Sequence, residues 1–515
     1  MKKTIFLSIF LLSTFLLFSQ NFRYVNTIFD NVKETKNIEY ATAPILDNIV
    51  AGFDAYNIHG GENTTKIKKL HLDIYEPDGD TVEKRPAIIF AHSGAFLFGS
   101  KSNEDIVAFC DSFAKKGYVT ISMDYRLGIG AEVNYVMGFP VKVSIKEENA
   151  VRAVYRSIQD GKAAVSFLRK NASTYKIDTS KIYFAGSSSG AFICIQNIYM
   201  DETNEIPLAA SPGVNTYVDL GGLNENGAQA YGAKANGIVE FWGALKNISF
   251  IKSTDNIPAL LIHGTIDDTV SFKAAKPLGN SIPPNSILTM DFPIAYGSYC
   301  IDSTMTSLGI EHETYFVKNQ GHEFHGAPNG KFLGGEPTAF WDTIIIKTRD
   351  FLYNLDKPIA DFSFSTNEKE LTLANKSTDA VVWLWDFGDA TTSTDENPKH
   401  NYIVDNTYKV SLYVMNEINS WDTISKTVLI KSSSIEKNNS FNKISISPNP
   451  NSGIFNIYFQ GEFNVNIFDI NGKLMCKIKN ANEFAKIDMA NSPKGIYLIN
   501  IINSKGEYFR KIVIE

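Results

Sequence analysis

Cysteine is scarce in this chain: four residues in 515, too few to staple a protein of this length. Cys110, Cys194, Cys300 and Cys476 show none of the paired spacing of a metal site. Cys110 and Cys194 fall on expected helices, where a free cysteine behaves as a small buried hydrophobe, and Cys476 lies in a distant segment, so full pairing is not expected. Beyond Phe18 no apolar run is long enough to span a membrane as a helix. Charge of one sign is not concentrated either. With 49 basic against 56 acidic residues the net charge is −7, and the lysines are scattered. That excludes the basic footprint of a nucleic-acid partner and a patch for anionic membrane.

What is present is a globular chain of ordinary composition, 44% hydrophobic and 20% charged, long enough for several domains. Met1-Lys2-Lys3 followed by the apolar run Ile5 to Phe18 reads as a secretory signal over residues 1–20, with cleavage near Ser19 or Gln20. No cysteine follows it to carry a lipid anchor, so the mature protein is expected outside the cytoplasm.

The chemistry-bearing pattern begins at Gly186-Ser187-Ser188-Ser189-Gly190. The apolar run Lys181 to Ala185 before it predicts a buried strand, and Ala191 to Tyr199 after it predicts a helix. Strand, tight turn and helix is the setting in which a G-x-S-x-G serine is presented as a nucleophile. A serine hydroxyl needs a base, and the base a carboxylate. Ala259 to Ile262 predicts a strand running into His263-Gly264-Thr265-Ile266-Asp267-Asp268. Glu313 to Val317 predicts another, followed by Gly321-His322-Glu323-Phe324-His325. Asp267 is the expected acid, with Asp268 as fallback, and His322 the expected base, with His325 second. His263 is expected to shape its turn. His322 and His325 stand at i, i+3 in a glycine-bearing loop, which does not fit the i, i+4 helical spacing of a zincin, so no metal is expected. Ala87 to Ala91 predicts a strand ending in His92-Ser93-Gly94-Ala95-Phe96-Leu97-Phe98-Gly99. Its small residues allow backbone N–H groups to approach an oxyanion.

The order Ser…Asp…His, with these motifs, resembles an α/β-hydrolase, and the His92–Gly99 segment resembles the HGGGF-type loop of esterases and lipases. The resemblance implies an oxyanion hole of Gly94, Ala95 and Ser189 N–H groups. With Tyr125-Arg126-Leu127-Gly128 after the Val119–Asp124 strand, it extends to secreted carboxylesterases, including feruloyl-esterase-like groups. It implies a mostly parallel, doubly wound sheet over residues 21–356, a serine ester hydrolase without cofactor, and an ester substrate, small or polysaccharide-linked. Lys69 to Tyr75 and Ile238 to Trp242 supply further strands, and Asp160 to Asn171 an amphipathic helix. Insertions at Ile129–Lys146 and Asp201–Asn236 and a loop at Phe292–Tyr299 are expected to shape the pocket, with Phe96, Phe98, Tyr135, Met137 and Phe139 as candidate lining residues. Two other readings stay open: a peptidase of prolyl-oligopeptidase type, for which the chain has no room for an N-terminal propeller, and an inactive surface adhesin.

Past Asp356 short alternating segments predict two small all-β domains. Trp385-Asp386-Phe387-Gly388-Asp389 and Asn397-Pro398-Lys399-His400-Asn401-Tyr402 resemble the signatures of a PKD domain over 357–430, which implies an immunoglobulin-like sandwich with Trp385 in its core. In that domain Asp386, Asp389, Asp395 and Glu396 are expected to form a solvated loop rather than a calcium site. After a polar linker at 431–440, Ile444-Ser445-Ile446-Ser447-Pro448-Asn449-Pro450, Val465 to Gly472, Gly495-Ile496-Tyr497-Leu498 and the final Lys511 to Ile514 resemble the C-terminal sorting domain of type IX secretion in Bacteroidetes, over 441–515. That resemblance implies export through the outer membrane, to the medium or the cell surface, with the secretion machinery as partner.

Overall fold

A computed structural model describes residues 22–211, 217–225, 231–279, 286–332, 335–432, 444–504 and 506–515. The signal segment, residues 433–440 of the expected linker and parts of the Asp201–Asn236 insertion lie outside them. The chain divides into two compact units, Met1–Ile430 and Lys431–Glu515.

The first unit is built on an eight-stranded sheet. Its strands are β1 (Val32–Leu46), β2 (Thr65–Pro77), β3 (Arg85–Ala91), β4 (Val119–Met123), β5 (Ile177–Ser187), β6 (Gly237–Phe241), β7 (Ala259–Gly264) and β8 (His312–Val317), in the order β1-β2-β4-β3-β5-β6-β7-β8. β1 and β2 are antiparallel additions; from β4 onward every pairing is parallel. The central strands read as unbroken apolar runs because both faces are covered, and all seven residues of β3 are buried. Helices α2 (Glu147–Lys170), α3 (Ser189–Tyr199) and α4 (Ser298–Leu308) pack on one face; α1 (Glu104–Ala114) and α5 (Phe340–Asp356) pack on the other. This is the α/β-hydrolase fold.

Several expectations change. The helix expected over Asp160–Asn171 begins at Glu147 and is buried on almost every side. Its charges hide that burial from a periodicity reading, because they are paired inside. Arg152 and Arg156 share Glu62, at 3.0 and 2.6 Å, and Asp160 holds Arg126 of the strand-exit loop at 2.8 Å. The Ile129–Lys146 insertion is largely a hairpin of Glu132–Val136 and Phe139–Ile145. The loop expected over Phe292–Tyr299 instead contains a short strand, Ala295–Gly297, and the start of α4.

The PKD-like segment forms two antiparallel sheets, of three and four strands, closing over Trp385, whose Nε1 donates to the Asp395 carbonyl at 2.9 Å. It is packed on the hydrolase part. Tyr24 Oη donates to the Ile418 carbonyl at 3.0 Å, and Ile418 is buried among the residues of α1 and α5. The second unit, taken alone, is a five-stranded antiparallel sheet around its own core, with Phe455, Val465, Ile499 and Ile512 inside.

Asp356 ends α5 fully buried. Tyr183 Oη donates to it at 2.6 Å, Lys181 lies at 3.5 Å, and its carbonyl accepts from Asn416 Nδ2 at 2.7 Å. Burial drives this carboxyl up to about 7, against the pull of Lys181 and Tyr183. The folded value stands above the unfolded one of about 3.9, so the contribution to stability is complete below about pH 4 and is lost as pH rises through about 7. Thermal unfolding of wild type and Asp356→Asn between those limits should show wild type losing stability relative to the variant. Parallel curves would refute this account.

Candidate active site

β3 and β5 are neighbours, yet the chain leaves them in opposite directions, to α1 and β4 from one and to α3 and β6 from the other. A crevice opens at such a switch point, at the carboxyl ends of the strands. Ser188 stands there with φ +53 and ψ −114, a strained conformation held by its N–H donating to the Phe241 carbonyl at 3.0 Å. Two glycines make the turn possible. A Cβ on Gly186 would lie 2.1 Å from the Gly190 carbonyl oxygen, and one on Gly190 would lie 2.2 Å from that of Ala91.

The structure brings together Ser188, His322 and Asp267. His322 Nε2 is 2.9 Å from Ser188 Oγ, and His322 Nδ1 is 2.7 Å from Asp267 Oδ2. Since Nδ1 faces a carboxylate it carries a proton, which leaves Nε2 to accept from the serine. Asp267 Oδ1 accepts the N–H groups of Thr269 and Val270, both at 2.9 Å. Burial opposes ionisation of Asp267, but hydrogen bonds from His263 and His322 outweigh it and hold the carboxyl well below the usual range. The alternatives fall elsewhere: Asp268 is exposed, and His325 is buried against Trp341 with Nε2 3.3 Å from Asp105.

The loop after β3 turns with positive φ at Gly94 (+128), Ala95 (+53) and Phe96 (+63). A Cβ at Gly94 would meet the Phe98 carbonyl oxygen at 2.0 Å. The loop closes through Leu97 and Phe98 N–H groups on the Gly94 carbonyl, and none of its backbone bonds uses the N–H of Ala95. Ser189 is the first residue of α3, where N–H groups have no partner within the helix. Ala95, Ser188 and Ser189 line one cavity.

Sequence reasoning missed the residues that hold these parts. Tyr125 Oη is 2.9 Å from both the His92 carbonyl and Ser189 Oγ, and its ring stacks on His92 at 4.3 Å. It ties the His92–Gly99 loop to the turn that carries Ser188. Trp242 donates from Nε1 to Ser187 Oγ at 3.0 Å and stands edge-on to His322. Behind Asp267 runs a buried polar chain. His263 Nε2 faces the Val270 carbonyl at 2.9 Å and Asp267 at 3.3 Å; His263 Nδ1 is 2.6 Å from Ser298 Oγ, which is 2.7 Å from Glu240 Oε2. Nε2 faces only acceptors, so it donates. Ser298 has one proton for two neighbours, and the other contact needs a proton from Glu240 or from His263. Burial pushes the Glu240 carboxyl up, toward keeping it. Only the His263 end of this chain had a sequence signal.

Of the residues expected to line a pocket, Phe96 does. Tyr135, Met137 and Phe139 lie on the exposed hairpin, 54%, 94% and 73% accessible, and Phe98 packs beside Tyr56. The insertion's expected place beside the carboxyl ends of the strands suggested a pocket wall, but only its Val143–Ile145 segment pairs with Leu288–Met290, and the residues around its turn stand in solvent.

Residues 72–211 match the BD-FAE family model. The chain carries a BD-FAE domain. It also carries a PKD domain at 357–430 and a secretion system C-terminal sorting domain at 445–515, which marks it for export to the medium or the cell surface. Among curated proteins it is 28% identical over 144 residues to Gut esterase 1 of Caenorhabditis briggsae and 28% identical over 143 residues to Gut esterase 1 of Caenorhabditis elegans. Each match covers 28% of this chain and spans 22% of the relative's length. Among solved structures, a thermophilic esterase of the planctomycete Thermogutta terrifontis has a TM-score of 0.37 at 18% identity, covering 56% of this chain and 89% of that one. Esterase 2 of that species, phosphorylated by paraoxon, has a TM-score of 0.37 at 17% identity, covering 61% and 95%. No helix among the described residues is long and apolar enough to cross a membrane.

A serine hydrogen-bonded to a histidine so oriented should react with a fluorophosphonate probe. Labelling should map to Ser188, vanish in Ser188→Ala and slow by about 10³-fold or more in His322→Ala. Equal labelling of the His322 variant would show that the histidine does not activate the serine.

Proposed function

We propose that this protein is an exported serine carboxylesterase. The observation that carries the reading is the unbroken line from Ser188 Oγ through His322 to Asp267, opening beside the Ala95 and Ser189 N–H groups. His322 Nε2 takes the serine proton as Oγ attacks the ester carbonyl. The carbonyl oxygen becomes an anion, stabilised by the N–H groups of Gly94, Ala95 and Ser189. The tetrahedral intermediate collapses to an acyl-serine, and His322 returns the proton to the departing alcohol. Water, deprotonated by His322, then releases the acid. Asp267, ionised and anchored by four contacts, holds the imidazole in the required tautomer and stabilises its charged form. No step calls for a metal or an organic cofactor. The BD-FAE match and the export domain favour acyl or feruloyl esters on plant polysaccharides, or other environmental esters, as substrates, and type IX machinery as the partner that reads the C-terminal domain.

The test is hydrolysis of p-nitrophenyl esters from acetate to palmitate, with methyl ferulate and acetylated xylan. Ser188→Ala should lower kcat by roughly 10⁴-fold or more, and Asp267→Asn by about 10⁴. Folded protein inert on every ester would overturn the proposal, pointing to a peptidase if Ser188 still labels and to an adhesin if it does not.

Gly94→Ala would force the loop away from Phe98. It should cost kcat about 10²–10³-fold, the effect of losing one oxyanion donor, with KM little changed. An unaffected kcat would remove Gly94 from the site.

A further inference from the structure

An apolar cavity beside Ser188 is lined by residues of α2, α3 and the loops that follow β6 and β7. Phe192 and Gln196 stand at i, i+4 on α3, Met200 follows at its C-terminal end, and Val151, Val154 and Ile158 face the cavity from α2. Ser188 and Gln196 are eight residues apart, which at 1.5 Å rise per residue is about 12 Å of depth. His322 is not among the residues lining this cavity. A departing alcohol must receive its proton from His322 Nε2, so the alcohol leaves on the other side of Ser188. On the esterase reading, then, the cavity receives the acyl group.

Among the described residues one charged side chain lines this apolar wall, Lys246. The same lysine borders an outer recess with Lys146, Glu147, Glu148 and Asp291. The other charges of that recess are engaged. Lys146 pairs with Glu132, Asp291 with Lys276 at 2.5 Å, Glu148 accepts from Tyr217 Oη at 2.7 Å, and Glu147 lies 4.0 Å from Lys276. Lys246 makes no hydrogen bond or ion pair with the described residues, and Glu147 acts on it only from a distance. Burial pulls its ammonium below the ordinary lysine value, with Glu147 opposing. A partly desolvated cation opposed only by a distant carboxylate carries a cost that an arriving anion relieves.

We propose that Lys246 recognises a carboxylate at the far end of the acyl group, so that preferred substrates are esters of acyl chains that themselves end in an acid. One ammonium at the neck of an apolar channel matches a monoanion; a dianionic phosphate would be left half-compensated. The channel walls take the methylene or aryl portion, and the recess keeps the charged pair partly wet, which lowers the desolvation cost.

The inference rests on the esterase reading, and the experiment separates the two. The full chain is assayed on p-nitrophenyl pentanoate, hexanoate and octanoate beside the p-nitrophenyl monoesters of glutaric, adipic and suberic acids. At the fitting length the acid-ended ester should be favoured in kcat/KM by roughly 10- to 100-fold over its methyl-ended counterpart, the range of a charge-assisted hydrogen bond. Lys246→Met should abolish that ratio and Lys246→Arg should keep it. Wild type that prefers methyl-ended esters at every length overturns the inference and leaves the esterase standing. So does an unchanged ratio in folded Lys246→Met. Failure on all six esters overturns this inference, and the esterase reading falls with it only if p-nitrophenyl acetate, methyl ferulate and acetylated xylan are also left intact.

Discussion

Everything at this site depends on how closely the turn after β5 can press against the end of β3. The distance is set by backbone atoms, not side chains: at Gly190 even a methyl group would enter the Ala91 carbonyl. That contact brings the first N–H groups of α3 alongside the Gly94–Ala95 turn. It also forces Ser188 into its strained conformation, which lifts Oγ out of the strand toward His322. Tyr125 then pins the two sides through the His92 carbonyl and Ser189 Oγ. Preorganised donors are effective because they need not move as charge develops.

The carboxylate side of the site is held by a different device. Asp267 sits at the end of β7 with one oxygen fixed by its own turn and the other between two imidazoles. The second imidazole leads through Ser298 to a fully buried Glu240 on β6. Proton counting along that chain leaves one proton shared between Glu240 and His263. The charge beside Asp267 is thereby coupled to a group on a neighbouring strand, and α4, which supplies Ser298, becomes part of the support.

Ser188, Asp267 and His322 were legible because each follows a short apolar run and each motif has a characteristic local spacing. The parallel sheet was legible for the same reason: its strands are continuous apolar segments separated by helix-forming ones. Other features were not. The true start of α2 was masked by Arg152, Arg156 and Asp160, which look like a solvated face until Glu62 and Arg126 are seen to neutralise them. The aromatic residues of the hairpin looked like a pocket wall, but they flank a turn that stands in solvent, beyond the Val143–Ile145 segment that pairs with Leu288–Met290.

By itself the sequence determined the fold class, the all-β modules and the identity and order of the three central side chains, since apolar period, turn glycines and motif spacing are local properties of a chain. The tertiary structure alone decided which face each loop presents, that Tyr125, Trp242, Ser298 and Glu240 support the site, and that Lys246, between an apolar cavity and an outer recess, makes no hydrogen bond or ion pair among the described residues. Those are facts about neighbours from distant segments. The burial and the compensation of a charge depend on what surrounds it in space, which the local pattern does not encode.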